Sequence, residues 1–385
     1  EMAETQKQPS VIRFEQEVAA KNYEAACVEL LDILSKIDSN FGGVEGIEID
    51  YPNQLNDELA QEKIKHFCTR VAVAISELFS DPQLDISEGG AQRFFTLQRW
   101  INMIFASSPF VNADHVLQTY NRNPDKTNLS DFHLDNARSS LIKFCIFYLP
   151  ESNVNVNLDA LWNLDPELCA SLCFALQSPR FIGTDQAFSK RGTLLQWFPE
   201  KLATIKNLNN VPNAISHDVY MHCSYDIAEN KHWVKKALNQ VIRRHLLEGG
   251  WTDRDVTKLG ERNGKPVMVV LLEHFHSSHS IYRTHSTSMI AARERFHLIG
   301  VGNEAVDAAG QAVFDEFHLL KGDNIFGKLN ELKDICEKNG AAVLYMPSIG
   351  MDLTTIFASN TRLAPVQVIA LGHPATTHSD FIEYV

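Results

Sequence analysis

The stretch RLAPVQVIALGHPATTHSDFIEYV, residues 362–385, decides how the second half of the chain folds. Residues 363–371 form an apolar run that is typical of a buried β-segment. The run ends at the Gly-His-Pro sequence of residues 372–374, and the Thr and Ser residues of 376–379 favour a helix start. A helix start leaves free backbone N–H groups that can bind an anion. With imidazoles beside it, this corner is predicted to bind a diphosphate or a developing oxyanion.

Three earlier segments have the same apolar character, at residues 266–272, 296–301 and 341–346. Helical periodicity lies between them, at residues 284–294 and 323–339. The alternation of strand and helix predicts a right-handed parallel sheet of the Rossmann kind with about four strands.

The first part of the chain is predicted to be almost wholly helical. Apolar residues recur at a spacing of three to four in segments 14–37, 59–80, 91–106, 134–149, 158–177, 184–206 and 229–247. Gly249-Gly250 then marks a boundary. The predicted fold class is therefore α + α/β, with an all-α domain over residues 1–255 and a Rossmann-like region over residues 262–385.

Composition excludes several classes of protein. A net charge of −13 argues against broad nucleic-acid binding or an anionic membrane surface as partner. No apolar run approaches the roughly 18 residues that span a bilayer, so no membrane insertion is expected. The seven cysteines include Cys169 and Cys173, which share one helix face and could form half of a metal site. Buried free thiols are favoured instead, and they predict a cytoplasmic protein.

Histidines crowd the segment that follows the first strand. His274, His276, His279 and His285 lie within twelve residues, together with Arg283. They could bind zinc, they could be hydrogen-bonded histidines without a function, or they could act in acid/base chemistry or contact phosphate. The third interpretation is favoured for at least one of them, because their spacing suits a loop better than a closed metal site.

Two further clusters lie in the helical part. His217, Asp218 and His222 belong to a polar segment, residues 214–226, that is either a solvated loop or the lining of a cleft. The turn at residues 178–183 contributes a single cation, Arg180. A glycine-rich dinucleotide motif and a P-loop are both absent, so neither hydride nor phosphoryl transfer has support.

Residues 362–385 resemble the end of the N-terminal Rossmann half of O-linked N-acetylglucosamine transferases. A closer resemblance is to the bacterial cytoplasmic N-glycosyltransferases that glucosylate high-molecular-weight adhesins. The motifs that carry it are DSNFGG (38–43), SSPFVNADH (107–115), LPESNVN (149–155), HFHSSHSIYRTHSTSM (274–289) and PSIGMDLTTIFASNTRLAP (347–365). The resemblance covers essentially the whole chain.

The resemblance implies a GT-B glycosyltransferase. Residues 1–255 would be an all-α domain on the acceptor side, and residues 262–385 would be the N-terminal Rossmann-like half. The C-terminal half, which supplies most contacts to the nucleotide in that family, is absent from this sequence. The chain by itself is therefore expected to have negligible transferase activity.

The resemblance also implies roles for individual residues. His279 would be the catalytic histidine that acts on the acceptor. Contacts to the nucleotide sugar would come from Gly372, His373, His274 and Arg283. The acceptor would be bound by His217, Asp218 and His222, to which Arg180 is added.

The implied reaction is the transfer of glucose from UDP-glucose to asparagine in Asn-X-Ser/Thr sequences of proteins such as adhesins, with inversion. The expected partners are the UDP-sugar, the acceptor protein or peptide, and the C-terminal GT-B half. No metal or cofactor is expected. The protein could also form a homodimer. A non-catalytic peptide-binding fragment is the alternative, and a metal-dependent hydrolase built on the histidines is a further one.

Overall fold

The computed structural model describes residues 7–53, 55, 60–370 and 376–385. Helices in its first part are α1 (Val11–Ala19), α2 (Tyr23–Ser39), α3 (Ala60–Ser80), α4 (Glu88–Ala106), α5 (Asp114–Leu117), α6 (Arg138–Phe147), α7 (Leu158–Leu164), α8 (Pro166–Gln177) and α9 (Asp185–Leu202). Those that follow are α10 (Ser216–His222), α11 (Trp233–Glu248), α12 (Ser280–Ala292), α13 (Ala308–Gln311), α14 (Ile325–Asn339) and α15 (Leu353–Ala358). None of the helices described is long and apolar enough to cross a membrane.

The chain forms two compact units, one of residues 1–191 with 210–215 and one of residues 192–209 with 216–385. Helices give way to strands near residue 255, but the compact units divide earlier in the chain. Helices α10 and α11 therefore belong to the same unit as the sheet.

The first unit is helical because its apolar residues recur at helical spacing and meet in a phenylalanine-rich core. The ring of Phe79 lies 4.4 Å from that of Phe147 and 5.5 Å from that of Phe94, measured between centroids. The predicted helix over 158–177 is interrupted at Asp165, whose side chain accepts from the N–H of Leu168 and caps α8. Pro166 follows at the first helical position, where its missing N–H costs nothing.

The second unit contains a parallel sheet, as the sequence predicts. Its strands are β1 (Glu261–Arg262), β2 (Lys265–Leu271), β3 (His297–Gly302), β4 (Glu316–Leu319), β5 (Val343–Met346) and β6 (Val366–Ile369). Strands β4-β3-β2-β5-β6 are parallel in that order, and β1 pairs antiparallel with β2. The sequence missed β1, which has two exposed residues, and β4, whose residues are only partly buried. Neither strand has the apolar run that revealed the others.

The strand order places a topological switch between β2 and β5. The chain goes from β2 outward to β3 and β4, and then returns to the other side of β2 to form β5 and β6. Open α/β sheets bind their ligands in the crevice outside the carboxyl ends of the two strands at such a switch.

The helix start predicted at residues 376–379 is wrong. Residues 376–385 contain turns and one bridge, in which Tyr384 pairs with Val368 of β6. The amide of Ile369 donates to the backbone oxygen of Tyr384 at 3.0 Å, and the Gln367 side chain donates to the backbone oxygen of Phe381 at 2.8 Å. The segment therefore runs back beside the sheet, and these contacts favour an extended backbone over a helix.

Candidate functional site

The loops that follow β2 and β5 are joined at the switch by Glu273, which is only 1% exposed. The amide of Glu273 donates to Ser348 Oγ at 3.2 Å, and its Oε1 accepts from the hydroxyl of Thr355. The Thr355 hydroxyl in turn accepts from the amide of Gly350 at 3.0 Å. These bonds fix the loop between β5 and α15 against the end of β2.

Burial favours the neutral form of the Glu273 carboxyl. Together with the nearby Asp352 carboxylate, it raises the pKa of Glu273 well above its ordinary value. Its second oxygen, Oε2, is buried without a hydrogen-bond partner among the described residues. The hydrogen bonds with Ser348 and Thr355 make the residue a hydrogen-bonding link between the two loops.

Three imidazoles line the next stretch of chain. The rings of His274 and His279 lie 5.8 Å apart between centroids with an angle of 28°, and His276 lies 5.2 Å from His279. Burial and the neighbouring imidazoles lower the pKa values of His274 and His279. Both rings are therefore predominantly neutral near pH 7.

The position of His279 determines which of its nitrogens carries the proton. His279 is the N-cap of α12, and its Nδ1 accepts from the amide of Ile281 at 3.3 Å. An accepting Nδ1 assigns the proton of the neutral ring to Nε2. His279 can therefore donate a hydrogen bond from Nε2, whereas its one lone pair is already used in the cap.

Arg283 lies one turn into α12 and is exposed. Its guanidinium donates to the backbone oxygen of Ser278 and so fixes the loop that holds His276 and His279. An exposed guanidinium can also donate to an anion.

Residues 216–222 form α10, which excludes the solvated-loop interpretation. Asp218 is 3% exposed and lies between two imidazoles, with Oδ1 3.3 Å from His217 Nε2 and 3.9 Å from His222 Nε2. Burial is the main cause that lowers the pKa of His274, and the imidazoles of His276 and His217 add to it, so α10 lies near the loop after β2.

Tyr220 connects α10 to the loop after β5. It is fully buried, and a Cβ atom added at Gly350, where φ is +92°, would lie 2.8 Å from its Cε1. On the same ring, Lys235 Nζ lies 4.8 Å from the centroid. Sequence reasoning gave no role to Lys235 or Glu273, and it included Tyr220 only as a member of the polar segment 214–226.

Two regions of the chain match models of known protein domains. Residues 9–153 match the HMW1C N-terminal domain, and residues 159–246 match HMW1 domain 2. The chain belongs to the HMW1C family.

Two relatives of this HMW1C-family chain come from Actinobacillus pleuropneumoniae, serotypes 5b and 7, and each is named UDP-glucose:protein N-beta-glucosyltransferase. Each is 70% identical over 383 residues, which are 99% of this chain and 62% of the relative. The chain thus spans less than two thirds of their length. Among solved structures, the chain is similar to a mutant O-GlcNAc transferase from Thermobaculum terrenum, with 12% sequence identity. The match covers 97% of this chain and 52% of that protein, and its TM-score of 0.36 is too low to support an argument.

Three further residues were singled out from the sequence. Gly372 and His373 are outside the described residues. Arg180 belongs to the first compact unit, where its guanidinium lies 5.0 Å from the ring centroid of Phe181. Within the described ranges no group of three or more His, Cys, Asp or Glu side chains is placed to hold a metal ion.

Proposed function

We propose that this HMW1C-family chain supplies the acceptor-side helices and the first Rossmann-like half of a GT-B protein N-glucosyltransferase. The reaction would transfer glucose from UDP-glucose, with inversion, to asparagine in Asn-X-Ser/Thr sequences of proteins such as adhesins. The observation that carries the proposal is the cluster of neutral imidazoles at the switch point between β2 and β5. The names of the two relatives at 70% identity support the same chemistry. A C-terminal GT-B half would complete the donor site.

The chemistry explains why such a site needs several groups. An amide nitrogen is a poor nucleophile because its lone pair is delocalised into the carbonyl. General-base help contributes about 10²–10⁴ in rate, whereas enzymes supply at least about 10⁶ in total. Alignment of the two substrates and stabilisation of the departing UDP must therefore contribute the larger share.

His279 is better suited to orienting the acceptor asparagine than to removing a proton from it. Its Nε2–H would donate to the amide oxygen of the acceptor asparagine, which fixes the side chain and makes its N–H more acidic. Asp218, held between His217 and His222, would accept from that N–H group. No metal is required in this scheme.

His274 and Arg283 would contact the nucleotide sugar from the same edge of the sheet. Gly372 and His373 are proposed to support the diphosphate, on the basis of the resemblance alone. An exposed guanidinium and neutral imidazoles offer N–H donors to phosphate oxygens.

The test is the transfer of hexose from UDP-glucose to an Asn-Ala-Thr peptide, with a Gln-Ala-Thr peptide as control. The chain is assayed alone and fused to the C-terminal part of an A. pleuropneumoniae relative. The fusion should add one hexose to the first peptide only, with or without a chelator, and the chain alone should be inactive. A folded fusion that binds both substrates without transfer would refute the proposal and favour a peptide-binding module.

A further inference from the structure

Lys235 of α11 is a fully buried lysine. Its Nζ donates to the backbone oxygen of Thr376 at 3.1 Å and lies over the ring of Tyr220. An ammonium group has three N–H donors. Among the described residues, only the Thr376 oxygen accepts from Lys235.

The charge of Lys235 also has no carboxylate partner in the described part of the chain. The titratable groups that face it are Tyr220 on α10, Cys223 just after that helix, Lys231 before α11, and His378. Burial lowers the pKa of Lys235 to about 8, so the ammonium form still predominates at neutral pH. A buried cation without a counter-charge is costly for the folded state.

Lys190 of the first unit is a half-buried lysine whose pKa burial also lowers to about 8, and it has more partners than Lys235. Its Nζ donates to three backbone oxygens of the 149–152 turn, at 3.0 to 3.2 Å, and lies 4.4 Å from the ring centroid of Tyr148. Two carboxylates, Asp114 and Glu151, act on its charge. Among the described residues, Lys235 has a comparable aromatic ring, one backbone oxygen as acceptor, and no nearby carboxylate.

Tyr220 places Lys235 near the loop that follows β5 at the carboxyl edge of the sheet, because its ring packs against both Lys235 and Gly350. One turn further along α11, Asn239 Nδ2 donates to the backbone oxygen of Thr377 at 2.8 Å, and its Oδ1 accepts from Asn360 at 3.0 Å. His378 follows with a φ of +50°, a left-handed conformation that is uncommon outside glycine. Helix α11 thus donates to the backbone oxygens of two consecutive residues, Thr376 and Thr377.

We propose that Lys235 supplies the positive charge by which this edge of the sheet selects an anionic ligand, the diphosphate of the donor nucleotide. This inference rests on the proposed function and names the part of the donor that the charge recognises. A diphosphate would provide the missing counter-charge in a medium of low dielectric, where the attraction is stronger than in water. Because UDP gains negative charge as the glycosidic bond breaks, the effect would be larger in the transition state than in the ground state.

The test compares three ligands by isothermal titration: UDP, pyrophosphate and uridine. The protein is the chain, alone and in the fusion described above. Lys235→Met should weaken UDP and pyrophosphate about tenfold and leave uridine unchanged, since uridine has no charge to lose. Lys236→Met is the matched control, an exposed lysine at the next position of the same helix, and should change UDP affinity less than about twofold.

Stability provides an independent readout. Removing an uncompensated buried charge should leave the melting temperature of Lys235→Met unchanged or raised, whereas the loss of a structural lysine would lower it. Equal weakening of UDP and uridine, or a lowered melting temperature together with unchanged UDP affinity, would overturn the proposal.

If Lys235→Met does not fold, Lys235→Gln preserves a donor to the Thr376 oxygen while removing the charge. Wild-type UDP affinity in that variant would then overturn the inference. A wild-type fusion that binds neither UDP nor UDP-glucose would refute the proposed function as well, whereas UDP binding that is insensitive to Lys235 refutes only the role of this charge.

Discussion

The lysines of the two compact units differ in the carboxylates that surround them. In the helical unit, Lys143 is 2% exposed, donates to the backbone oxygen of Leu84 at 2.9 Å, and is acted on by the carboxylates of Asp81 and Asp85. Lys190 in the same unit has three backbone acceptors and two carboxylates nearby. Lys235 in the unit with the sheet has one acceptor and no carboxylate among the described residues.

On the proposal above, the nearby carboxylates would distinguish lysines that stabilise the fold from a lysine that awaits a ligand. A buried polar group with all its partners contributes to stability, whereas one that lacks partners costs stability until something binds. Glu273 Oε2 and Tyr220 Oη are also buried without partners among the described residues, but so are polar atoms of the helical unit such as Gln98 Oε1. A missing hydrogen-bond partner alone therefore does not mark a ligand site.

The largest effect is expected for Lys190→Met. Three backbone oxygens lose their donor, so the free energy of unfolding should fall by about 4 kcal/mol. Denaturant unfolding of the chain measures it. Lys65→Met, an exposed lysine of α3 in the same unit, should change stability by less than about 0.5 kcal/mol. Equal values for the two variants would mean that Lys190 is not structural.

The pH dependence of the unfolding free energy tests whether the charge of Lys235 destabilises the ligand-free protein. Its pKa is about 8 in the folded chain against an ordinary 10.5, so the unfolded chain binds more protons between these values. We therefore compare the free energy of unfolding of the wild type with that of Lys235→Met. The wild-type value minus the variant value should be constant below pH 8 and rise by up to about 3 kcal/mol towards pH 10.5.

Urea unfolding of both proteins between pH 7 and pH 10 gives this difference, in which the titrations of other groups largely cancel. A difference that falls as pH rises would show that the ammonium is stabilised in the ligand-free protein. Lys235 would then be a structural lysine, and the contrast between the units would disappear.

Variants of His279 test whether this residue orients the acceptor asparagine or deprotonates it. His279→Ala should lower kcat/KM of the fusion about 10²-fold, while His279→Gln, which retains an N–H donor, should recover much of that loss. His285→Ala, on the same helix, is the control and should stay near the wild-type value. If the Gln variant is as slow as the Ala variant, the ring acts as a base.

The smallest effect is expected for Glu273→Gln. An amide has the shape of the neutral acid and can still accept from Thr355, so stability and activity should change by less than about 1 kcal/mol. Glu273→Asp is shorter and should cost more, because it loses that hydrogen bond. A Gln variant that is as impaired as the Asp variant would mean that the carboxylate charge is needed.

Much of the fold could be predicted from local patterns. The break between α1 and α2 at Asn22, the four apolar strands and the end of α14 at Gly340 all follow from residues close in sequence. The edge strand β4 was missed because Glu316 and His318 interrupt its apolar pattern. The helix predicted after residue 375 is wrong because the segment pairs with β6, which is a contact that local sequence does not encode.

Sequence alone determined the helical first part, the parallel sheet, the cluster of histidines and the family of the chain, since each depends on the order and spacing of neighbouring residues. Only the tertiary structure decided that Glu273 is neutral, that His279 donates from Nε2 and that Lys235 lacks a counter-charge. These properties depend on partners distant along the chain, such as Thr355 for Glu273 and Thr376, 141 positions from Lys235. Burial and the supply of hydrogen-bond partners are set where the elements pack, and the protonation state follows from them.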